Sequence, residues 1–341
     1  MRVDRIRQLT LSVVLLFAAL FSVDVSAQSQ SQSRRRDGLF GDWRVKMDFN
    51  GREWESILAF SRGREGKRTG QWISLWGVSD LKDVSFEDGK LSFAHSRQGR
   101  DGQTITSKFT GTVKRRNLTG TLSSERGEVS VTGTRSRYVP RAVGNWETKF
   151  TIGDRAITNK LVVTADEKGK VAVDWQSDRV KHKISAVSFK QGKLTFKTDS
   201  KMDDRQWQST FEGTFQRGKY SGVIKSDRGE TPVEGKLLGA PLIGTWNLDV
   251  SSDRGDRKQR FRVFPDMSGL FGATPIKKVQ LEDGEVSFKI SLEFGDQTYD
   301  LEFKGKLHEG SLTGEITTSR GTSKVTGKKV QRRGRRNRRT N

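Results

Sequence analysis

The sequence predicts an all-β protein of three tandem antiparallel units, each an up-and-down barrel of about eight short strands, with a two-sheet sandwich as the alternative. Three observations point there. Gly41-Asp42-Trp43 returns as Gly144-Asn145-Trp146 and as Gly244-Thr245-Trp246, at intervals of 103 and 100 residues. After each copy the same punctuation follows: an apolar hairpin with Gly at its tip, then Phe-x-Gly, Arg-Gly and Val-x-Gly. The 341-residue chain also carries 36 Gly, only 5 Pro and 32% hydrophobic residues, a mixture that suits short strands joined by Gly turns better than helices.

Arg2, Arg5 and Arg7 precede a 15-residue, mostly apolar run from Leu9 to Val23, and Val25-Ser26-Ala27 offers small residues for cleavage. This is the pattern of a secretory signal peptide over residues 1–27, with a mature chain starting near Gln28 in the periplasm or outside the cell. An uncleaved anchor helix is the other reading, although the run is short for a membrane span. Residues 28–37 hold no apolar side chain to bury and read as a disordered basic linker.

The first unit covers residues 38–137. Trp43, Val45, Met47 and Phe49 alternate with polar residues and so share one strand face. Asn50-Gly51 marks a hairpin turn into a second strand, Trp54 to Phe60. Gln71 to Trp76 reads as a third strand with Trp72, Ser74 and Trp76 on one side. A two-residue turn at Asp88-Gly89 would set Phe86 opposite Leu91 and Val84 opposite Phe93. The next hairpin sets Phe109 opposite Leu122, Gly111 opposite Gly120 and Val113 opposite Leu118, and the other units repeat it at Gly213 with Gly222 and at Gly305 with Gly314. Glycine weakens a strand interior, so paired inward glycines need a reason: sharp sheet bending, or room for a large side chain, here expected to be the Trp of Gly-x-Trp. The second unit covers 138–239, opened by Pro140, and the third 240–330. The third has 33 residues between Trp246 and Val279 against 41 at the matching places elsewhere, so its early strands are trimmed. Residues 331–341 form a disordered Arg-rich tail.

A Gly-x-Trp on the first strand of a small antiparallel barrel, repeated at all three unit starts, resembles the calycin group of lipocalins, fatty-acid-binding proteins and avidins. The resemblance implies a barrel fold and binding rather than catalysis. The chain departs from it in having shorter units, no Thr-Asp-Tyr motif and no C-terminal helix. The lipocalin Arg that packs on the first-strand Trp has no clear match, because Arg135 in the first unit becomes Lys236 and Lys328 in the others. The chain also looks like exported bacterial proteins built of tandem barrel repeats, which implies export and a binding or structural role.

The charge is the strongest functional signal. Net charge is +22; the signal segment carries +1, Arg34 to Arg36 add +3 and the tail +6, which leaves +12 on the rest. Such a chain attracts polyanions: acidic polysaccharide, an anionic membrane surface or another polymer, and export argues against a specific nucleic-acid partner. Candidate anion-binding residues are Arg126, Arg228 and Arg320, each followed by Gly before the last strand of its unit, and the tail residues Arg332, Arg333, Arg335, Arg336, Arg338 and Arg339. The bland reading of the three Arg-Gly pairs is a hairpin turn with Arg lying on the rim. Trp54, Trp72, Trp76 and Trp175 are the candidate aromatic ligand contacts, with core filling as the alternative. No Cys is present, which removes disulfides, Cys-ligated zinc and thiol catalysis. His95, His182 and His308 fall at different places in the three units and read as surface or turn residues. No catalytic, cofactor or metal motif is present. The function that follows is an exported, non-enzymatic binding or structural protein, with a small apolar-ligand carrier using a cavity in the first or second unit as the alternative.

Overall fold

The computed structural model describes residues 38–49, 51–63, 66–98, 102–136, 139–166, 168–253, 255–294 and 297–331. The signal segment, the basic linker and the tail arginines fall outside the described residues. The chain divides into Met1–Leu39, of which Gly38 and Leu39 are described in a turn, and Phe40–Asn341, which contains every strand. No α-helix occurs among the described residues.

The first sheet comprises β1 (Gly41–Phe49), β2 (Arg52–Arg62), β3 (Arg68–Ser74), β4 (Gly77–Glu87), β5 (Lys90–Gln98), β6 (Thr104–Lys114), β7 (Asn117–Ser124) and β8 (Gly127–Arg135). They pair in sequence order, and β8 closes the barrel on β1 with Val45 opposite Gly133. The second comprises β9 (Gly144–Ile152), β10 (Arg155–Ala165), β11 (Val171–Gln176), β12 (Lys181–Lys190), β13 (Lys193–Met202), β14 (Arg205–Gln216), β15 (Lys219–Ser226) and β16 (Gly229–Leu237). Here β16 returns to β9, and the ladder stops at one seam, between β11 and β12.

The third comprises β17 (Gly244–Ser252), β18 (Gly255–Val263), β19 (Gly269–Phe271), β20 (Thr274–Ile276), β21 (Gln280–Glu282), β22 (Glu285–Phe294), β23 (Gln297–His308), β24 (Ser311–Thr318) and β25 (Gly321–Lys329). β25 returns to β17, but the three-residue strands β19, β20 and β21 stand where the other units have long ones. The trimmed sequence between Trp246 and Val279 therefore leaves a half-barrel with edges at β20 and β21. All three sheets are meanders, not sandwiches.

Alternation makes the strands amphipathic. β1 buries Trp43, Val45 and Met47 and exposes Lys46 and Asp48. The expected hairpin register holds in all three units: Gly111 faces Gly120, Gly213 faces Gly222 and Gly305 faces Gly314. The reason for the glycines differs from the expected one. The ring over each pair belongs to the Phe two residues earlier on the same strand, not to the Trp. A Cβ on Gly111 would lie 2.5 Å from Phe109 Cζ, and Phe211 and Phe303 lie 2.6 Å from the matching points on Gly213 and Gly305. The carbonyl of Thr119 is closer still to that point on Gly111, so the strands also approach too tightly for any side chain. Trp43, Trp146 and Trp246 fill the core elsewhere and are fully buried.

Two further expectations change. Phe86 faces Leu91, but Val84 does not face Phe93, because a bulge shifts the register between Lys82 and Ser85. The second unit has the same shift between Ser185 and Ser188. The third strand ends at Ser74 and leaves Trp76 in the turn.

The first barrel packs on the half-barrel. Ile57 and Ile73, on the outer face of β2 and β3, form a buried cluster with Leu270 and Ala273. Asp42, the middle residue of the first Gly-x-Trp, receives both guanidinium nitrogens of Arg260 at 2.8 and 3.2 Å and Nη1 of Arg262 at 2.8 Å. Asn145 and Thr245 stand at the matching places, so this contact is particular to the first unit.

Candidate functional site

In an up-and-down sheet alternate turns lie at one end. For the first barrel that end, called the mouth here, carries the turns at Gly51, Leu75-Trp76 and Glu125-Arg126. The predicted aromatic and Arg residues gather at the mouths.

In the first barrel Trp72 points inward. Its indole N–H donates to Ser56 Oγ at 3.2 Å, and its ring stacks on His95 with centroids 4.6 Å apart and planes 17° apart. His95 Nε2 lies 2.7 Å from Ser79 Oγ. Burial, assisted by the nearby positive Arg97, lowers the His95 pKa to about 4. In the second barrel Trp175 occupies the position of Trp72, and Asn159, with its amide oxygen turned inward, accepts the indole N–H at 2.9 Å. His182 lies 5.9 Å from Trp175 between ring centroids and 2.9 Å from Ser200 Oγ through Nδ1. Ser200 Oγ gives its proton to Thr198, so His182 Nδ1 carries the hydrogen and Nε2 the lone pair. That Nε2 is buried with no partner in the described structure.

His95 and His182 are therefore interior residues, not surface or turn residues as their scattered sequence positions suggest. The scatter reflects a change of strand, because the bulges themselves fall at the same place in both units. With Lys82 and Ser185 aligned, Ser79 matches His182 and His95 matches Thr198, so one Trp–His neighbourhood is built with the His on opposite strands. His308 is exposed at a strand end, as expected.

Trp54 is 37% exposed at the mouth of the first barrel, where it pairs with Met47, and Trp76 is 51% exposed. Arg126, Arg228 and Arg320 sit in three equivalent turns. Each backbone N–H donates to the hydroxyl two residues back, Ser124, Ser226 or Thr318, at 3.3, 3.2 and 3.1 Å. The following Gly127, Gly229 and Gly321 hold φ of +112°, +113° and +118°, a region closed to other residues.

One of these arginines meets one of the tryptophans. The Leu75-Trp76 turn of the first barrel enters the open side of the half-barrel. Leu75 packs on the core of the third unit, and Gln259 Nε2 donates to the carbonyls of Ser74 at 3.1 Å and Leu75 at 2.8 Å. Trp76 then lies 6.4 Å from Tyr299, and the Arg320 guanidinium lies 6.0 Å from the Tyr299 centroid. Arg257 shares the inward face of β18 with Gln259, one step nearer the mouth, and its buried Nε has no hydrogen-bond partner in the described structure. Tyr299, Gln259 and Arg257 escape sequence reasoning because their neighbours come from a distant unit. The trimmed third unit is the one signal that an opening there needs covering.

The residue over the first-strand Trp also differs from expectation. Arg135 faces Trp43 across the closing ladder, with its guanidinium 5.9 Å from the ring. The matching residues are Leu237 and Lys329, not Lys236 and Lys328, and Lys329 Nζ lies 5.6 Å from the Trp246 ring.

Two depressions of about 390 and 360 Å³ open on the second barrel, one beside Asn159 and Gln176, the other beside Phe150 and Ile157. Among the described residues no group of His, Asp and Glu is placed to hold a metal ion, and no helix is long and apolar enough to cross a membrane.

No protein-family model and no curated protein matches the chain. Solved structures align at low similarity. A candidate outer membrane protein of Bacteroides fragilis aligns with 10% identity and a TM-score of 0.23, covering 85% of this chain and 97% of that one. Transferrin Binding Protein B of Haemophilus parasuis aligns with 10% identity and a TM-score of 0.21, covering 86% and 76%. A Nostoc punctiforme protein of unknown function aligns with 12% identity and a TM-score of 0.18, covering 86% and 97%. Scores of this size establish no common fold; the all-β architecture of this chain rests on its own three sheets.

Proposed function

We propose that the chain is an exported, non-enzymatic binding protein that meets polyanions on its outer surface, either acidic polysaccharide or an anionic membrane surface. One observation carries this reading: the barrel interiors are occupied by the protein's own rings. Trp43, Phe93 and Phe109 fill the first, Trp146, Phe196 and Phe211 the second, and Trp246, Phe261 and Phe303 the third, all buried. Function is then left to a surface whose chain carries a net +22. Calycin likeness of the first unit is supported by Arg135 over Trp43.

Heparin chromatography of the mature chain and of a chain ending at residue 330 tests the reading. Retention should fall steeply with salt, and the shortened chain should elute earlier. Retention indifferent to salt overturns it. The lone pair of His182 Nε2 beside Trp175 favours a second reading, a carrier for a small, mostly apolar ligand in the second unit. Organic extraction and mass spectrometry of the purified protein that yields no bound compound removes that one.

A further inference from the structure

We propose that the rim shared by the first barrel and the third half-barrel binds acidic polysaccharide, with a sugar ring stacked on Trp76 and its carboxylate held by Arg320. This rests on the polyanion reading and narrows it to one site and one class of polymer.

The indole of Trp76 is both exposed and anchored. Its backbone N–H donates to Ser74 Oγ at 3.2 Å, the two preceding carbonyls are held by Gln259, and Leu75 is sunk in the neighbouring core. A half-exposed Trp on a free loop loses conformational freedom when a ligand stacks on it; this one has already lost it, so binding costs less. Tyr299 stands beside it, tilted by 55°, and forms a second wall. The Arg320 guanidinium lies over the Tyr299 ring, 6.0 Å from its centroid, and Arg320 is exposed to solvent. Arg257 lies on the inward face of β18, one step nearer the mouth than Gln259, and adds positive charge beneath the rim.

The aromatic pair decides the ligand class. A site for a bare polyanion needs cations and no rings. A Trp face takes the C–H face of a pyranose, and an Arg fork takes a carboxylate through two parallel bonds. Single-stranded nucleic acid stacks on a succession of aromatics along a groove, whereas this pair is compact and sized for a single ring. The site is composite: the first unit supplies the Trp, and the third supplies the Tyr and the Arg.

The test uses the full mature chain, with Trp76→Ala, Trp76→Phe and Arg320→Gln, each melted first to confirm folding. Binding is titrated with polygalacturonate oligomers, polyphosphate of matched charge and oligo-dT. The proposal expects Trp76→Ala to weaken polygalacturonate by about 10-fold or more. It expects polyphosphate binding to stay unchanged in that variant, Trp76→Phe to restore much of the loss, and Arg320→Gln to weaken both polyanions. Polygalacturonate binding that is indifferent to Trp76, equal losses for both polyanions in Trp76→Ala, or a Trp76-dependent preference for oligo-dT each overturns the site while leaving the polyanion reading standing. A parent chain that binds none of the three probes overturns both.

Discussion

Two residues before the inward Leu58, Leu161 and Phe261, the three units carry Ser56, Asn159 and Gln259, and these side chains serve different partners. Ser56 and Asn159 accept the indole N–H of a Trp on the neighbouring strand. The third unit has Phe271 in place of that Trp, a ring with no N–H to satisfy. The amide of Gln259 turns instead to two carbonyls from another unit. The same comparison runs through the interior: His95 and Thr198 match Ile290, and Ser107 and Ser209 match Leu301. The first two barrels carry a small polar cluster behind their mouths, while the third has apolar residues at those positions and is open at the side. An incomplete sheet gains a cover only if a neighbour supplies one, and the Leu75-Trp76 turn is that cover. The repeats share a backbone plan but not a mode of completion.

If the third unit depends on this cover, blocking the seat should hurt it more than any change in its own core lining. Gly272 holds φ +62°, and a Cβ there would lie 2.7 Å from the carbonyl carbon of Ser74 and 3.1 Å from Leu75 N. Gly272→Val adds backbone strain and a steric clash at once and should destabilise by about 4 kcal/mol. Denaturant melts of the full chain check this; a loss under half that size would show that the half-barrel stands without its neighbour. Gln259→Leu tests the hydrogen bonds alone. It leaves two half-buried carbonyls without their donor and should cost about 2 kcal/mol. Ser56→Ala, which strands only one indole N–H at longer range, should cost less. Equal losses would break the contrast between the units.

Much of the plan was legible in the sequence, because it rests on local signals. Gly-x-Trp and Arg-Gly spacing locate the repeats, and two-residue turns set the register of the glycine pairs, since turn length and alternation fix which residues face each other. The bulges were not legible: one extra residue at Asp83 or Ala186 leaves the apolar alternation almost intact yet moves every residue beyond it to the other face. That shift hid the interior placement of His182, which lies on the bulged strand, whereas His95 continues the unbroken alternation of Leu91 and Phe93 and was open to sequence reasoning. The choice of Phe109 over Trp43 to cover Gly111 depends on rotamers, which spacing does not encode. The rim site was half visible: Trp76 and Arg320 stood out singly, but their meeting through Tyr299 depends on packing between distant units.

The smallest expected effect separates the units by pH. His95 is neutral in the folded barrel because burial lowers its pKa from 6.5 to about 4. Between those values the unfolded chain binds the proton that the folded barrel excludes. The stabilising contribution is therefore complete above pH 6.5, declines as pH falls and is gone below about 4. From pH 7.5 to 5.5 the loss should be about 1 kcal/mol. In the second barrel burial lowers His182 as well, opposed by Asp174, so its dependence has the same sign. The third unit has Ile290 at the His95 position and nothing there to titrate. Hydrogen-exchange protection, corrected for intrinsic rates, should thus fall in β5 and β6 between pH 7.5 and 5.5 while β22 and β23 hold theirs. His95→Gln should remove the decline in the first barrel, and a decline of equal size in all three sheets would mean that they open as one cooperative body, with the composite rim at Trp76 as the coupling.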